Sequence, residues 1–373
     1  MKSANQSRQA NIELLRILAM FGIILMHMMN HGGLLTWSQK GTFSYVASWM
    51  LFSPGMHSIN ILLLISGYFL VEQRFSTWKL YKLASQVLFY SLPITLIFWF
   101  FLGTEKDTKY LVYSLLPITS DFYWYISMYA GLYLLSPILN KLIRALGRKQ
   151  MMCVCVLLFV LISVWPNVAF FSSTLNTAGG VSIAWFVAVY FFGAYIRLYY
   201  VPDGKVGTKA IISLALLTAL PLSRFFFEWI VTTPLGKIDV LNDLLWGYSL
   251  FYNYSSILVT ITSIAVFITF LNIRNIPQNV GKWINYIASS AFGVYLLHDH
   301  AYIRDNFWYA IKTYDWPGKW YLIPLALGVA VLIYLAGMIT EGIRRKFFGI
   351  WENRAGFKQI FHKMDDKLKS FWT

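Results

Sequence analysis

Long apolar runs recur from one end of this chain to the other, separated by short polar stretches. A helix needs about 20 mostly apolar residues to cross a bilayer, and by that measure ten segments qualify. They lie at roughly 12–30, 46–70, 80–102, 122–140, 151–171, 181–200, 210–230, 248–271, 284–303 and 320–340. The polar punctuation is EKDTK at 105–109, RALGRKQ at 144–150, VPDGK at 201–205 and RNIPQN at 274–279. Residues 110–118 predict a short interfacial helix. The pattern predicts an all-α polytopic membrane protein with about ten transmembrane helices.

Composition agrees. Hydrophobic residues make up 58% of the chain and charged residues 13%, where a soluble domain carries about 25% charged residues. The net charge of +15 would suggest a nucleic-acid partner in a soluble protein. Here the bias of Lys and Arg toward cytoplasmic loops accounts for it, and no nucleic-acid partner is expected. With the N-terminus inside, 22 of the 31 Lys and Arg fall on the cytoplasmic side and 8 outside, leaving Arg16 within the first span. Both termini are therefore expected in the cytoplasm. Lys2 and Arg8 precede the first apolar run as in a signal peptide, but no A-x-A-like cleavage site follows it. The segment reads as a retained first span. Residues 1–345 form the expected transmembrane domain, and 346–373 a basic amphipathic tail along the inner leaflet.

Ionisable residues inside spans are costly and mark function by default. The first span carries three: Glu13, Arg16 and His27. At 100° per residue, Arg16 and His27 leave the helix within about 20° of one face, about 16.5 Å apart along the axis. Glu13, three residues before Arg16, is placed to hold the guanidinium. His298, in the ninth span, falls at a depth similar to His27, and Asp121 opens the fourth span near the same plane. One cavity lined by His27 and His298 and continuing to Arg16 is the geometric expectation. His31, His57 and His300 are expected at the membrane surface, and His362 in solvent. Arg224 and Glu228, four residues apart, read either as a plain helix pair or as part of a substrate groove. Cys153 and Cys155 point about 200° apart on a helix and cannot pair. No zinc-like cluster and no Ser or Cys nucleophile with a partner is visible in the sequence.

The R-x10-H spacing of Arg16 and His27 resembles the signature of the acyltransferase-3 family of bacterial membrane acyltransferases. The stretches LLLISGYFL at 62–70, DFYWYISMYAGLYLLSPILN at 121–140, YFFGAYIR at 190–197 and FGVYLLH at 292–298 agree with it, in order. The resemblance implies an O-acyltransferase of the bacterial cell membrane. It would move an acyl group, most often acetyl, from cytoplasmic acyl-CoA to a hydroxyl of a cell-surface or lipid-linked glycan. His27 would be the catalytic base, with His298 and Asp121 in support. Arg16, Glu13 and Lys82 would serve the donor, with Lys79 and Lys82 an approximate match to a basic pair of the family. No metal is expected. Acyl-CoA, a glycan or glycolipid, the bilayer and a second copy of the chain are the partners it allows.

The residues support that chemistry independently. Histidine suits base catalysis near neutral pH, Arg suits phosphate recognition, and the Arg16–His27 offset is comparable with an extended pantetheine arm. Direct transfer with His27 as base is the first mechanism, and a transient acyl-histidine the second. The rival class is a transporter or flippase of a small anionic or glycolipid substrate, with Arg16 and His27 in its pathway. Carriers often carry repeated halves, and none is seen here. The topology is directly testable in a chain with Cys153 and Cys155 replaced by Ser. A membrane-impermeant thiol reagent added outside should label Asp107→Cys and spare Leu146→Cys.

Overall fold

The computed structural model describes residues 9–104, 106–120, 122–168, 177–238 and 250–372. These residues are helical, with no strand among them. In chain order the main helices are α1 (Ala10–His31), α2 (Leu34–Trp37), α3 (Phe43–Leu70), α4 (Thr77–Phe101), α5 (Thr108–Leu115), α6 (Trp124–Ala145) and α7 (Arg148–Val168). They continue with α8 (Ile183–Tyr199), α9 (Gly207–Thr232), α10 (Ile257–Leu271), α11 (Gln278–Ala288), α12 (Ala291–His298), α13 (Ala301–Ala310), α14 (Leu322–Glu352) and α15 (Ala355–Trp372).

Among the described residues, seven helices are long and apolar enough to cross a membrane: α1, α3, α4, α6, α7, α9 and α14. The apolar helices α8 and α10 fall in predicted spans but are shorter. The ninth predicted span departs most from expectation. Instead of one helix over 284–303, the chain forms α11, α12 and α13, interrupted at Ser289–Ser290 and Asp299–His300. Ser and Asp side chains compete with the helical backbone for hydrogen bonds, and Ser289 Oγ indeed donates to the Tyr286 carbonyl (2.6 Å). The short helix expected at 110–118 is present as α5. The last span runs on as one 31-residue helix to Glu352, past the expected boundary at 345, and α15 begins after the break at Asn353–Arg354.

Local sequence starts several helices. Thr42 caps α3 by accepting from Tyr45 N (3.3 Å), Ser182 caps α8 through Trp185 N (3.4 Å), and Ser256 caps α10 through Val259 N (3.3 Å). The tail helix is tied to the bundle by Asp365. Its carboxylate accepts from Thr77 N (2.7 Å) and Thr77 Oγ1 (2.7 Å), at the first turn of α4.

Burial separates an inner layer from an outer one. In α1 and α3, 67% of the apolar stretch is buried within the protein, against 17% in α7 and 22% in α9. Helix α1 is the hub, packing most extensively on α3 and also touching α10, α11, α12, α13 and α14. In lipid, helices associate by close packing at small residues rather than by burying apolar surface from water. Here a Cβ on Gly22 would stand 2.7 Å from Ser58 Oγ across the α1–α3 seam. On α3, a Cβ on Gly67 would stand 2.5 Å from the Tyr190 carbonyl oxygen of α8.

That second seam is made by backbone, which cannot swing aside. Gly67→Ala should therefore destabilise the protein by about 1–3 kcal/mol, the usual cost of overpacking. Gly328→Ala, whose Cβ would meet open space, should not. Thermal unfolding of the two detergent-solubilised variants, followed side by side, checks this.

Candidate active site

The break after α12 builds the centre of the site. The helix ends at His298, and the chain turns at Asp299 before α13 begins. That turn brings the Asp299 carboxylate to 3.5 Å from His27 Nδ1 on α1. Helix α12 is held in place by Tyr123, whose hydroxyl donates to the Leu296 carbonyl (2.8 Å). It is also held by Gly337 of α14, where any Cβ would run into Val294. His27 and His298, 271 residues apart, consequently meet at 3.1 Å, from Nδ1 to Nε2.

The hydrogen bonds assign the tautomers. His298 Nδ1 lies 2.7 Å from the Val294 carbonyl, which can only accept, so this nitrogen carries the proton. His298 Nε2 then holds a lone pair and accepts from His27 Nδ1–H. His27 is left with its lone pair on Nε2. The pair is withdrawn from solvent: the His27 side chain is 12% exposed, and residues His298 and Asp299 are 3% and 5% exposed. An Nδ1–H held by an acceptor, with a carboxylate close by, is the arrangement that keeps an imidazole oriented as a base. Arg304 of α13 approaches the same carboxylate (3.9 Å) and also contacts Asp305 (3.3 Å).

The other end of α1 is polar in a different way. Arg16 Nη1 donates to both oxygens of Glu13 (3.1 and 3.0 Å), and Glu13 is buried beneath it. Both line a cavity of about 820 Å³. Lys79, Lys82, Gln73 and Gln86 share its polar end; Ser66 and Tyr129 line its middle; Ile23, Ile126 and Tyr295 close it. Lys82 sits over the Trp78 ring (5.1 Å) and 3.9 Å from Glu352.

The sequence expected His27 and His298 to line the same cavity as Arg16. The structure places them just beyond its closed end. Ile23, one turn before His27, is the last α1 residue of the lining, and Tyr295, also in the lining, meets the His298 ring edge-on at 6.2 Å. Asp121 lies outside the described residues. Two other expectations are overturned: His57 and His300 are fully buried instead of lying at the surface. His300 Nε2 bonds the Ser91 carbonyl (3.0 Å) and His57 Nδ1 lies 3.5 Å from that of Val259, so each ring has one nitrogen partnered inside the bundle, while His57 Nε2 and His300 Nδ1 are buried without a hydrogen bond. Glu228, expected beside Arg224, accepts from Tyr45 (2.7 Å) and Lys40 (3.2 Å), while the Arg224 guanidinium lies 3.5 Å over the Trp49 ring.

Sequence reasoning missed two groups. Asp299, directly after His298, and Arg304, on the outer side, are visible in the sequence but were given no role in the site. Glu341 was also missed. It is buried and accepts from Gln86 (3.0 Å), Tyr90 (3.1 Å), Arg344 (2.8 Å) and Arg345 (3.0 Å). The E-x-x-R-R spacing at 341–345 marks it, since both arginines fall one turn away on the same face. Arg345 also reaches Ser289 Oγ (2.9 Å), on the cavity wall.

These features define a class: a helical, polytopic membrane protein with a buried histidine pair beyond one end of an internal cavity whose other end is cationic. Within that class the chain belongs to the acyltransferase-3 family, whose model, an acyltransferase domain, matches residues 9–340, nearly the whole chain. It is a membrane acyltransferase. Searches among curated proteins and among solved structures returned no match.

If the Asp299 carboxylate steadies His27 as the ring takes up a proton, removing its charge without changing its shape should slow the reaction selectively. Asp299→Asn should lower acyl transfer by about 10²-fold or more, with protein yield and melting temperature near wild type. A transfer assay on purified protein, read beside a thermal melt, decides it.

Proposed function

We propose that this protein is an O-acyltransferase that moves an acyl group, acetyl foremost, from acyl-CoA to a hydroxyl of a cell-surface or lipid-linked glycan. The setting would be a bacterial cell membrane, with both termini in the cytoplasm. The observation that carries the reading is the Val294–His298–His27 chain of contacts at 2.7 and 3.1 Å, from which the lone pair of His27 is assigned to Nε2.

In this reading the acceptor hydroxyl gives its proton to His27 Nε2 as its oxygen attacks the thioester carbonyl carbon. The carbon–sulfur bond breaks, and the departing thiolate recovers the proton from the imidazolium, so His27 returns neutral. Asp299 stabilises the transient cation across 3.5 Å. The donor's phosphates would lie at the cationic end of the cavity, against Arg16, whose guanidinium is held to one orientation by Glu13. Lys79 and Lys82 would add charge at the mouth. The cavity's 820 Å³ is within the usual range of about 300–1,000 Å³ for small-molecule sites. The pantetheine arm would run along α1 and pass Tyr295 to bring the thioester to His27.

Two substitutions separate the two ends. His27→Ala should abolish transfer, since losing a general base typically costs about 10²–10⁴ in rate, and should leave CoA binding near normal. Arg16→Ala should weaken CoA binding strongly, and Arg16→Lys should recover only part of it, because an ammonium lacks the guanidinium's fork. Mass spectrometry of surface glycans reads the first, as loss of one acyl mass, and calorimetry with CoA the second. Full acylation in folded His27→Ala protein would sink the mechanism.

A further inference from the structure

On the side of the histidine pair away from the cavity, α1 ends in His31, exposed and four residues beyond His27. Side chains four apart share a helix face, the spacing by which helical histidine pairs hold zinc. The two rings meet edge to face at 5.3 Å. Asp299 stands opposite, and one ligand atom each from His27, His31 and Asp299 lie within 4.8 Å of one another.

We propose that His27, His31 and Asp299 form a binding site for a divalent transition-metal ion of the zinc type, and that an ion held there switches the enzyme off. Two imidazoles and a carboxylate are a donor set suited to zinc, with a fourth position left to water. Zinc bonds of about 2.0–2.2 Å need donors closer together than 4.8 Å, and the exposed His31 ring closes that gap by rotating toward the buried pair. Exposure of His31 also provides the way in. Arg304, which forms an ion pair with Asp299, keeps a carboxylate of its own in Asp305 when Asp299 turns to the ion. The inhibitory part rests on the reading of His27 as base. A neutral imidazole that gives one nitrogen to a metal keeps its proton on the other, so a bound ion removes the lone pair that would accept the acceptor's proton. The three ligands are invisible as a cluster in the sequence, because Asp299 reaches α1 only through the turn after α12.

The test uses the purified full-length protein in detergent, with Zn²⁺ alone followed by calorimetry and Co²⁺ as a visible-absorption probe of the ligand set. Wild-type protein should bind one Zn²⁺ per chain and lose acyl transfer as Zn²⁺ is added, with recovery on chelation. Removing an outer partner of a metal site typically costs about 10–100-fold in affinity, so losing the His31 ligand itself should cost roughly 100-fold or more. His31→Ala should transfer normally in zinc-free buffer and resist Zn²⁺; His31→Gln serves the same purpose if the smaller side chain impairs folding. Equal zinc affinity in wild type and the His31 variants, or no binding, overturns the site. Bound zinc with undiminished transfer overturns the inhibition. Zinc binding that depends on His31 in a protein with no transfer activity would instead refute the acyltransfer reading of His27 and leave the metal site standing.

Discussion

A backbone carbonyl can only accept a hydrogen bond, and the Val294 carbonyl of α12 lies 2.7 Å from His298 Nδ1. Much of the site follows from that contact. It holds the proton of His298 on one nitrogen, leaves the other as an acceptor for His27 at 3.1 Å, and so confines His27's lone pair to Nε2. In water such a chain would exchange partners freely. Inside the bundle, where an unpaired polar atom is costly, each bond constrains the next. Two neutral histidines can thus sit in a membrane protein without either carrying a buried charge.

The chain of bonds works only because α1 and α12 are fixed against their neighbours. Small residues make this contact close: Gly22 at the α1–α3 seam, Gly67 at α3–α8 and Gly337 beneath Val294. Helix α1 lies at the centre of these contacts, so one element carries Arg16, His27 and His31 in fixed order along its axis. A helix is a stiff ruler. The separation between the cationic end and the histidine end is therefore a property of α1, insensitive to the loops.

The cationic end is organised by the same rule of paired charge. Glu13 is buried beneath Arg16, and Glu341 gathers Gln86, Tyr90, Arg344 and Arg345 around one carboxylate. Buried carboxylates of this kind do more for orientation than for stability, since desolvation offsets much of the attraction. Here they aim guanidinium groups at or beside the cavity wall, and the Glu341 group ties α4 to α14. The tail helix adds a further tie through Asp365, at the start of the helix that carries Lys79 and Lys82.

The helical, membrane-spanning character of the protein was legible in the sequence, because apolar runs of bilayer length leave little else for the backbone to do. Family membership was legible too, through Arg16 and His27 at fixed spacing and further stretches in order. Spacing along one helix is a local property, so the Glu13–Arg16 pair and the common face of Arg16 and His27 could be read without any fold. The break of the ninth span could not, because a hydropathy run does not distinguish one helix from three when Ser289, Ser290 and Asp299 are tolerated within it. Nor could the burial of His57 and His300, which depends on Val259 and Ser91 arriving from other helices to accept their hydrogen bonds. Likewise, Tyr295 closes the cavity short of His298, and Asp299 turns back onto His27. Helical periodicity determined which residues share a face. Only packing decided which faces meet, because contacts between residues hundreds of positions apart are set by how the helices fit together.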